Sequence, residues 1–269
     1  MSFAILPAKP QAPVSYKLIE SQNIHPDSSL IVFINSIGLP SVLWTPTIAL
    51  LQRSTSSVKP SILKYDRYDQ AATTSQDSAD NIPEKGHRYG HDLHHAVSDL
   101  NELIMVTVPR NSKLVLVAAS ICVHIARLYA QKHAATVEGL LFLDPNIGNA
   151  EATDLWPNSH TPDFKESNVL GDDFVLEQHI EAVMVMVIGH EPEPFAEEMW
   201  KILKITKSID RKYTQFAWQQ YNEALFNLND ADRSTNKVLV APGCGHFIQK
   251  DNPQFVSTQL EDPISRIQI

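Results

Sequence analysis

The sequence predicts an α/β fold built on a mainly parallel central sheet with helices on both faces. Short apolar runs alternate along the chain with segments of helical periodicity. The runs are continuous rather than alternately polar and apolar, which marks strands covered on both faces. Strands and helices also follow one another in alternation, the order that a parallel sheet requires. No internal repeat or low-complexity tract interrupts this pattern, and a single domain over residues 1–269 is expected.

Leu30 to Ile34 is the first buried strand, ending in Asn35-Ser36-Ile37-Gly38-Leu39-Pro40, and a short helix from about Trp44 to Leu51 follows. Ser61 to Tyr65 is a second strand that leads into the polar Asp66-Arg67-Tyr68-Asp69-Gln70, then a polar stretch from Ala71 to Gly86 expected to be mobile. From about His91 to Val106 the positions Leu93, Val97, Leu100, Leu103 and Ile104 recur at helical spacing. Lys113 to Val117 is a strand that meets Ala118-Ala119-Ser120-Ile121-Cys122 with no room for a loop before a helix over Val123 to His133. Gly139 to Leu143 and Ala182 to Ile188 are further strands, the second followed by helices at about Phe195 to Leu203 and Tyr213 to Leu228. Lys237 to Ala241 is the last strand, before Pro242-Gly243-Cys244-Gly245-His246. The Pro- and Asp-rich piece at about 145–180 breaks the alternation and reads as a small lid.

Composition excludes several function classes. With 22 Lys and Arg against 31 Asp and Glu, the net charge is −9, and no basic block is present. Nucleic acid and anionic membrane surfaces are therefore not the expected partners, and a small-molecule substrate is. No apolar run approaches the ~18 residues of a membrane span. Met1 to Val14 holds three prolines and no long apolar segment, so no secretory signal is expected. Two cysteines, Cys122 and Cys244, cannot build a disulfide framework, which fits a cytoplasmic location.

Ligands of open α/β sheets bind at the carboxyl ends of the strands. The residues there are Asn35-Ser36-Ile37, Asp66, Ser120, Asp144, Glu191 and His246. A serine, a histidine and carboxylates in the order Ser, acid, His are the parts of nucleophilic acyl transfer. Ser120 occupies a small-x-Ser-x-small turn between strand and helix, with Ala118 and Cys122 as the small neighbours. Such a turn strains the serine backbone and aims the Ile121 N–H at a developing oxyanion, although a plain helix-capping serine also fits. His246 follows the last strand after Gly243 and Gly245, which permit a tight bend that presents the imidazole, and it would act as base. Two acids are open: Glu191 after the strand preceding His246, and Asp144 after the strand that follows the nucleophile helix. His87, His91, His94 and His95 share helical spacings, but no Cys or carboxylate cluster brackets them, and neither metal nor cofactor is expected.

These features resemble the α/β-hydrolase superfamily, and more narrowly a fungal group of small serine-hydrolase-like proteins. The resemblance spans about Leu30 to Val256. Its carriers are Phe33-Ile-Asn-Ser-Ile-Gly-Leu-Pro40 with Trp44 and Pro46, Tyr65-Asp-Arg-Tyr68, Tyr89-Gly-His-Asp92, and the turn at Ser120. Further carriers are Leu141-Phe-Leu-Asp-Pro-Asn146, Val187-Ile-Gly-His-Glu191, Phe195-Ala-Glu-Glu198, Tyr221-Asn-Glu-Ala-Leu225 and Gly243-Cys-Gly-His-Phe-Ile-Gln249. It implies an α/β-hydrolase fold with Ser120 as nucleophile, His246 as base, Glu191 at the usual acid position and Asp144 at the alternative one. It also implies Ile121 and Ile37 N–H groups as oxyanion donors.

The departures lie at the same places. Asn35-Ser36 replaces the usual His-Gly, Ala118 and Cys122 replace the turn glycines, and Asp69-Gln-Ala-Ala72 replaces a glycine-rich continuation. The resulting expectation is a serine hydrolase cleaving an ester, lactone or thioester of a small apolar molecule, set by fungal analogy in secondary metabolism. A non-hydrolytic lyase, isomerase or cyclase using Asn35, Ser120 or His246 for hydrogen bonding is the alternative, beside a ligand-binding or homodimer-forming pseudo-hydrolase.

Overall fold

A computed structural model describes residues 1–21, 29–54, 59–76, 92–108, 112–147, 184–228 and 236–267. Eight strands form one sheet: β1 (Ser2–Leu6), β2 (Lys9–Ile19), β3 (Leu30–Ile34), β4 (Ser61–Tyr65), β5 (Leu114–Ala119), β6 (Val137–Leu143), β7 (Met184–Gly189) and β8 (Lys237–Val240). Their order is β1-β2-β4-β3-β5-β6-β7-β8. The pairs from β4 through β8 are parallel, whereas β1 and β2 join antiparallel at one edge.

The apolar runs divide by side-chain parity, because successive residues of a strand point to opposite faces. Leu30, Val32 and Ile34 pack with Leu116 and Ala118 into one core, under α2 (Leu93–Thr107) and α3 (Val123–Lys132). Ile31 and Phe33 pack with Val115 and Val117 into the opposite core, against α1 (Thr45–Arg53) and the C-terminal helix over Pro253–Ile267. That second core holds Trp44, its ring 4.8 Å from that of Phe33. Phe33 is completely buried, so Phe33→Ala is expected to cost about 3–5 kcal/mol in urea denaturation, since the vacated volume cannot be refilled by a rigid sheet.

Asp92 caps α2, its Oδ1 accepting the His95 N–H at 2.8 Å. His95 pairs with that same carboxylate, and His94 Nδ1 contacts Lys132 Nζ at 2.9 Å. These two histidines are thus held by the helix cap and its neighbour; His87 and His91 lie outside the described residues, as does most of the 145–180 lid segment. Among the described residues no helix is long and apolar enough to cross a membrane.

The edge hairpin and the last helix are elements the sequence reading did not find. Pro10 and Pro13 argue against a strand, yet both fall in β2 where its pairing with β1 is irregular and before its pairing with β4 begins at Tyr16. The prolines therefore remove few ladder bonds. Pro263 similarly obscures the C-terminal helix, whose buried Val256, Leu260 and Ile264 fall at fourfold spacing.

Candidate active site

Strand register brings the site together. Ile34 of β3 pairs with Ala118 of β5, and Ala119 with Leu143 of β6, so the segments after all three strands leave the sheet at one edge. There Ser120 has φ +59°, a left-handed backbone that costs a residue with a Cβ about 1–3 kcal/mol and survives only where the surroundings enforce it. The enforcement is visible in its neighbours: Ala118 and Cys122 are both buried, one in the strand and one at the start of the helix, leaving no slack in the turn. Asp144 has φ +42° in the equivalent position after β6.

Ser120 Oγ lies 2.8 Å from His246 Nε2, and His246 Nδ1 lies 2.5 Å from Asp144 Oδ2. Ser120 and Asp144 are buried, and the ring of His246 is mostly so. The hydroxyl also meets Asn146 Oδ1 at 3.2 Å. With a single proton to give, it has two acceptors, of which the imidazole is the nearer.

Glu191, the other acid candidate, does not reach the ring. Its Oε2 accepts the Gly243 N–H at 2.5 Å, while its own N–H donates to Cys244 O at 2.9 Å, tying β7 to the loop that carries His246. The reason is the alternation of side chains at the strand end. His190 turns inward to Asp144, so the next residue faces the neighbouring loop. Glu191 precedes helix α4 (Pro192–Leu203), whose Glu198 Oε2 accepts the His246 N–H at 2.6 Å.

That contact makes Gly245 sensitive. A Cβ there would stand 2.5 Å from Glu198 Oε2, and the carboxylate cannot withdraw without releasing the His246 N–H. Gly245→Ala is expected to lower turnover about tenfold or more by misplacing the imidazole, with unchanged far-ultraviolet circular dichroism. Retained activity would show that Glu198 moves freely.

The remaining expected positions are at the same edge. Asn35 and Ser36 are buried, the Asn35 amide donating to Tyr65 O at 3.4 Å, and Ile37 is exposed at the rim, three residues past the register partner of Ala118. Ile121 is half-buried, three residues past Ala118 itself. Asp66, which carried no assigned chemistry, is a clamp: its carboxylate accepts the N–H groups of Ser41 at 2.6 Å and Ala72 at 3.3 Å. It thereby fixes the loop that presents Ile37.

Burial opposes ionisation of Asp144, but the charge and N–H of His190, with those of His246, outweigh it and hold the carboxyl below its ordinary value. Burial likewise pushes His190 down, and the Asp144 carboxylate with the Gln215 contact carries it above its ordinary value. Each shift links stability to pH. The Asp144 contribution is present above pH 3.8 and lost as pH falls through the lower folded value. The His190 contribution is present below pH 6.5 and lost as pH rises through the higher folded value. The melting-temperature gap between wild type and an Asp144→Asn/His190→Gln double variant is therefore expected to be widest between these limits. A gap that stays flat from about pH 3 to about pH 9 contradicts the pairing.

A third apolar cluster borders the histidine. Phe195, Met199, Ile205 and Trp218 pack together with Ile147 and Ile209, and the Phe195 and Trp218 rings lie 6.2 and 6.1 Å from that of His246. The sequence reading assigned no role to Asn146, His190, Glu198 or Gln215. His190 carried the same strand-end signal as Glu191, one residue earlier; Glu198 and Gln215 are helix residues with no such mark.

No family model and no curated protein matches the sequence. Solved structures do. The enol-lactonase from Burkholderia xenovorans LB400 is 13% identical, over 98% of this chain and 100% of its own, with a TM-score of 0.62. A structure from work on carboxylesterases of the thaumarchaeon Nitrososphaera gargenis is 12% identical over 99% of both chains, at 0.60. The proline iminopeptidase of Mycobacterium smegmatis is 9% identical over 99% and 98%, at 0.62. At such identities the likeness speaks to architecture alone, and with the parallel sheet order it establishes that this chain has the α/β-hydrolase fold.

Proposed function

We propose that the protein is a serine hydrolase acting on an ester, lactone or thioester of a small apolar molecule. The observation that carries the reading is the hydrogen-bonded line from Ser120 Oγ through His246 to Asp144, with Ser120 held at φ +59°. A serine hydroxyl is a weak nucleophile until a base takes its proton in the transition state, and an imidazole 2.8 Å away is within transfer distance.

In this mechanism Ser120 Oγ attacks the carbonyl carbon while its proton passes to His246 Nε2. Asp144 Oδ2 accepts a hydrogen bond from His246 Nδ1–H, fixing the tautomer and stabilising the imidazolium while that proton stays on the ring. The Ile121 and Ile37 N–H groups receive the oxyanion. Collapse of the tetrahedral adduct expels the alkoxide or thiolate, which takes the proton from His246 and leaves acyl-Ser120. A water molecule, deprotonated by the same imidazole, then releases the acid and restores the serine.

The apolar cluster of Phe195, Met199 and Trp218 beside His246 supports an apolar substrate, since small-molecule sites combine such walls with a few polar groups. The names of the similar structures, an enol-lactonase and carboxylesterases, lie in the same reaction class. A setting in fungal secondary metabolism rests on the sequence resemblance. Purified protein is expected to turn over p-nitrophenyl acetate and butyrate, with butyrate favoured. A folded protein inert toward both, and toward thioester and lactone panels, would favour a non-hydrolytic pocket.

A further inference from the structure

Asp144 has two carboxylate oxygens, and the histidine already described uses only one. Oδ1 faces His190 Nδ1 at 2.7 Å and also accepts the His190 backbone N–H at 3.2 Å. The His190 ring is buried, stacked 3.7 Å from Phe195 with Trp218 on its edge. Its second nitrogen, Nε2, meets Gln215 Oε1 at 3.0 Å. Gln215 is the first residue of a helix over Gln215–Phe226, and the π-helical turn Asp210–Thr214 before it sets Asp210 and Gln215 side by side, five residues apart. Gln215 Nε2 donates to Asp210 Oδ2 at 2.9 Å, which leaves the amide oxygen facing the imidazole.

Both ring nitrogens of His190 therefore face acceptors. A neutral imidazole has one N–H and would set a lone pair against an oxygen at one end, inside a buried site where such repulsion is not relieved by water. The geometry points to His190 as a buried imidazolium that positions Asp144 and, by offsetting its charge, sets the pH at which His246 becomes a competent base. This rests on the role given above to Ser120, His246 and Asp144. Among the described residues the groups facing His190 are Asp144 from the end of β6, His246 beyond it, and Asp210 through Gln215; Phe195 and Trp218 contribute no charge. Arg211, on the same π turn, is engaged with Glu193 at the surface. The upward shift of His190 agrees with this arrangement.

The expected effect is directional. Asp144 favours the charged form of His246, and a cation on its other oxygen weakens that preference. Removing the cation should move the acidic limb of kcat/KM upward by about one pH unit or more. The limb is expected to move in His190→Gln and, should that variant not fold, in Gln215→Met, which deletes the second acceptor. An unmoved limb with only a reduced kcat would assign His190 a packing role and overturn the proposal.

Side-chain nitrogen NMR on histidine-labelled protein, assigned with the same variants, reads the ring itself. Two protonated nitrogens persisting to about pH 8 support the imidazolium. A neutral ring, with the Gln215 amide turned over and Asp210 holding the proton, overturns it. This spectrum needs no activity. Absent ester turnover would sink the hydrolase reading, while the spectrum would still decide the charge of His190.

Discussion

Ser120→Ala is expected to lower ester turnover by about 10⁴-fold or more while leaving the fold intact. The size follows from the mechanism: without Oγ there is no acyl intermediate, and only solvent attack within the oxyanion site remains. The stability effect should have the opposite sign or vanish. Alanine dislikes φ +59° no less than serine does, but the change removes a buried hydroxyl that has two acceptors for one proton. Glycine is more informative still, because Ser120→Gly relieves the backbone strain and should raise the melting temperature of an equally inactive protein. A serine variant with undiminished turnover would place the chemistry elsewhere.

Asp144→Asn should cost about 10⁴-fold in kcat, against a change within about tenfold for Glu191→Gln. Asparagine keeps the shape of the carboxylate, but its amide must offer either oxygen or N–H to each histidine. Both His246 Nδ1 and His190 Nδ1 need an acceptor from it, and it has one oxygen. One imidazole is then driven to the wrong tautomer. Among the described residues the Glu191 side chain accepts the Gly243 N–H, and its amide analogue can keep that bond through Oε1. Comparable large losses in both variants, or a larger one in Glu191→Gln, would mean that the hydrogen-bonded line does not carry the reaction.

The parts of the fold legible in sequence were those where burial acts on both sides of a strand. Leu30 to Ile34, Leu114 to Ala119 and Met184 to Gly189 are apolar throughout because two cores need every residue. The edge hairpin was hidden because Pro10 and Pro13 fall where β2 pairs irregularly with β1 and has not yet reached β4, and the last helix because Pro263 breaks its apparent period. At the site, Ser120 and Asp144 stood out because each directly follows a strand, and His246 because it lies in the glycine-containing loop after the last one. Between Asp144 and Glu191 the sequence could not choose: both follow strands, and which one meets the imidazole depends on how the first residue after β7 turns. His190 takes that inward position and so excludes its neighbour. The role of His190 was illegible for a different reason, since its meaning comes from Gln215 and Asp210, which reach it only through a π-helical turn.

Labelling with an alkyl fluorophosphonate, followed by peptide mass spectrometry, tests the central claim most directly, because the reagent phosphonylates only a serine activated by a base. One adduct on Ser120, absent in Ser120→Ala and strongly slowed in His246→Ala, is the predicted result. A folded wild-type protein that remains unlabelled, or whose label sits on another residue and persists in Ser120→Ala, would contradict it.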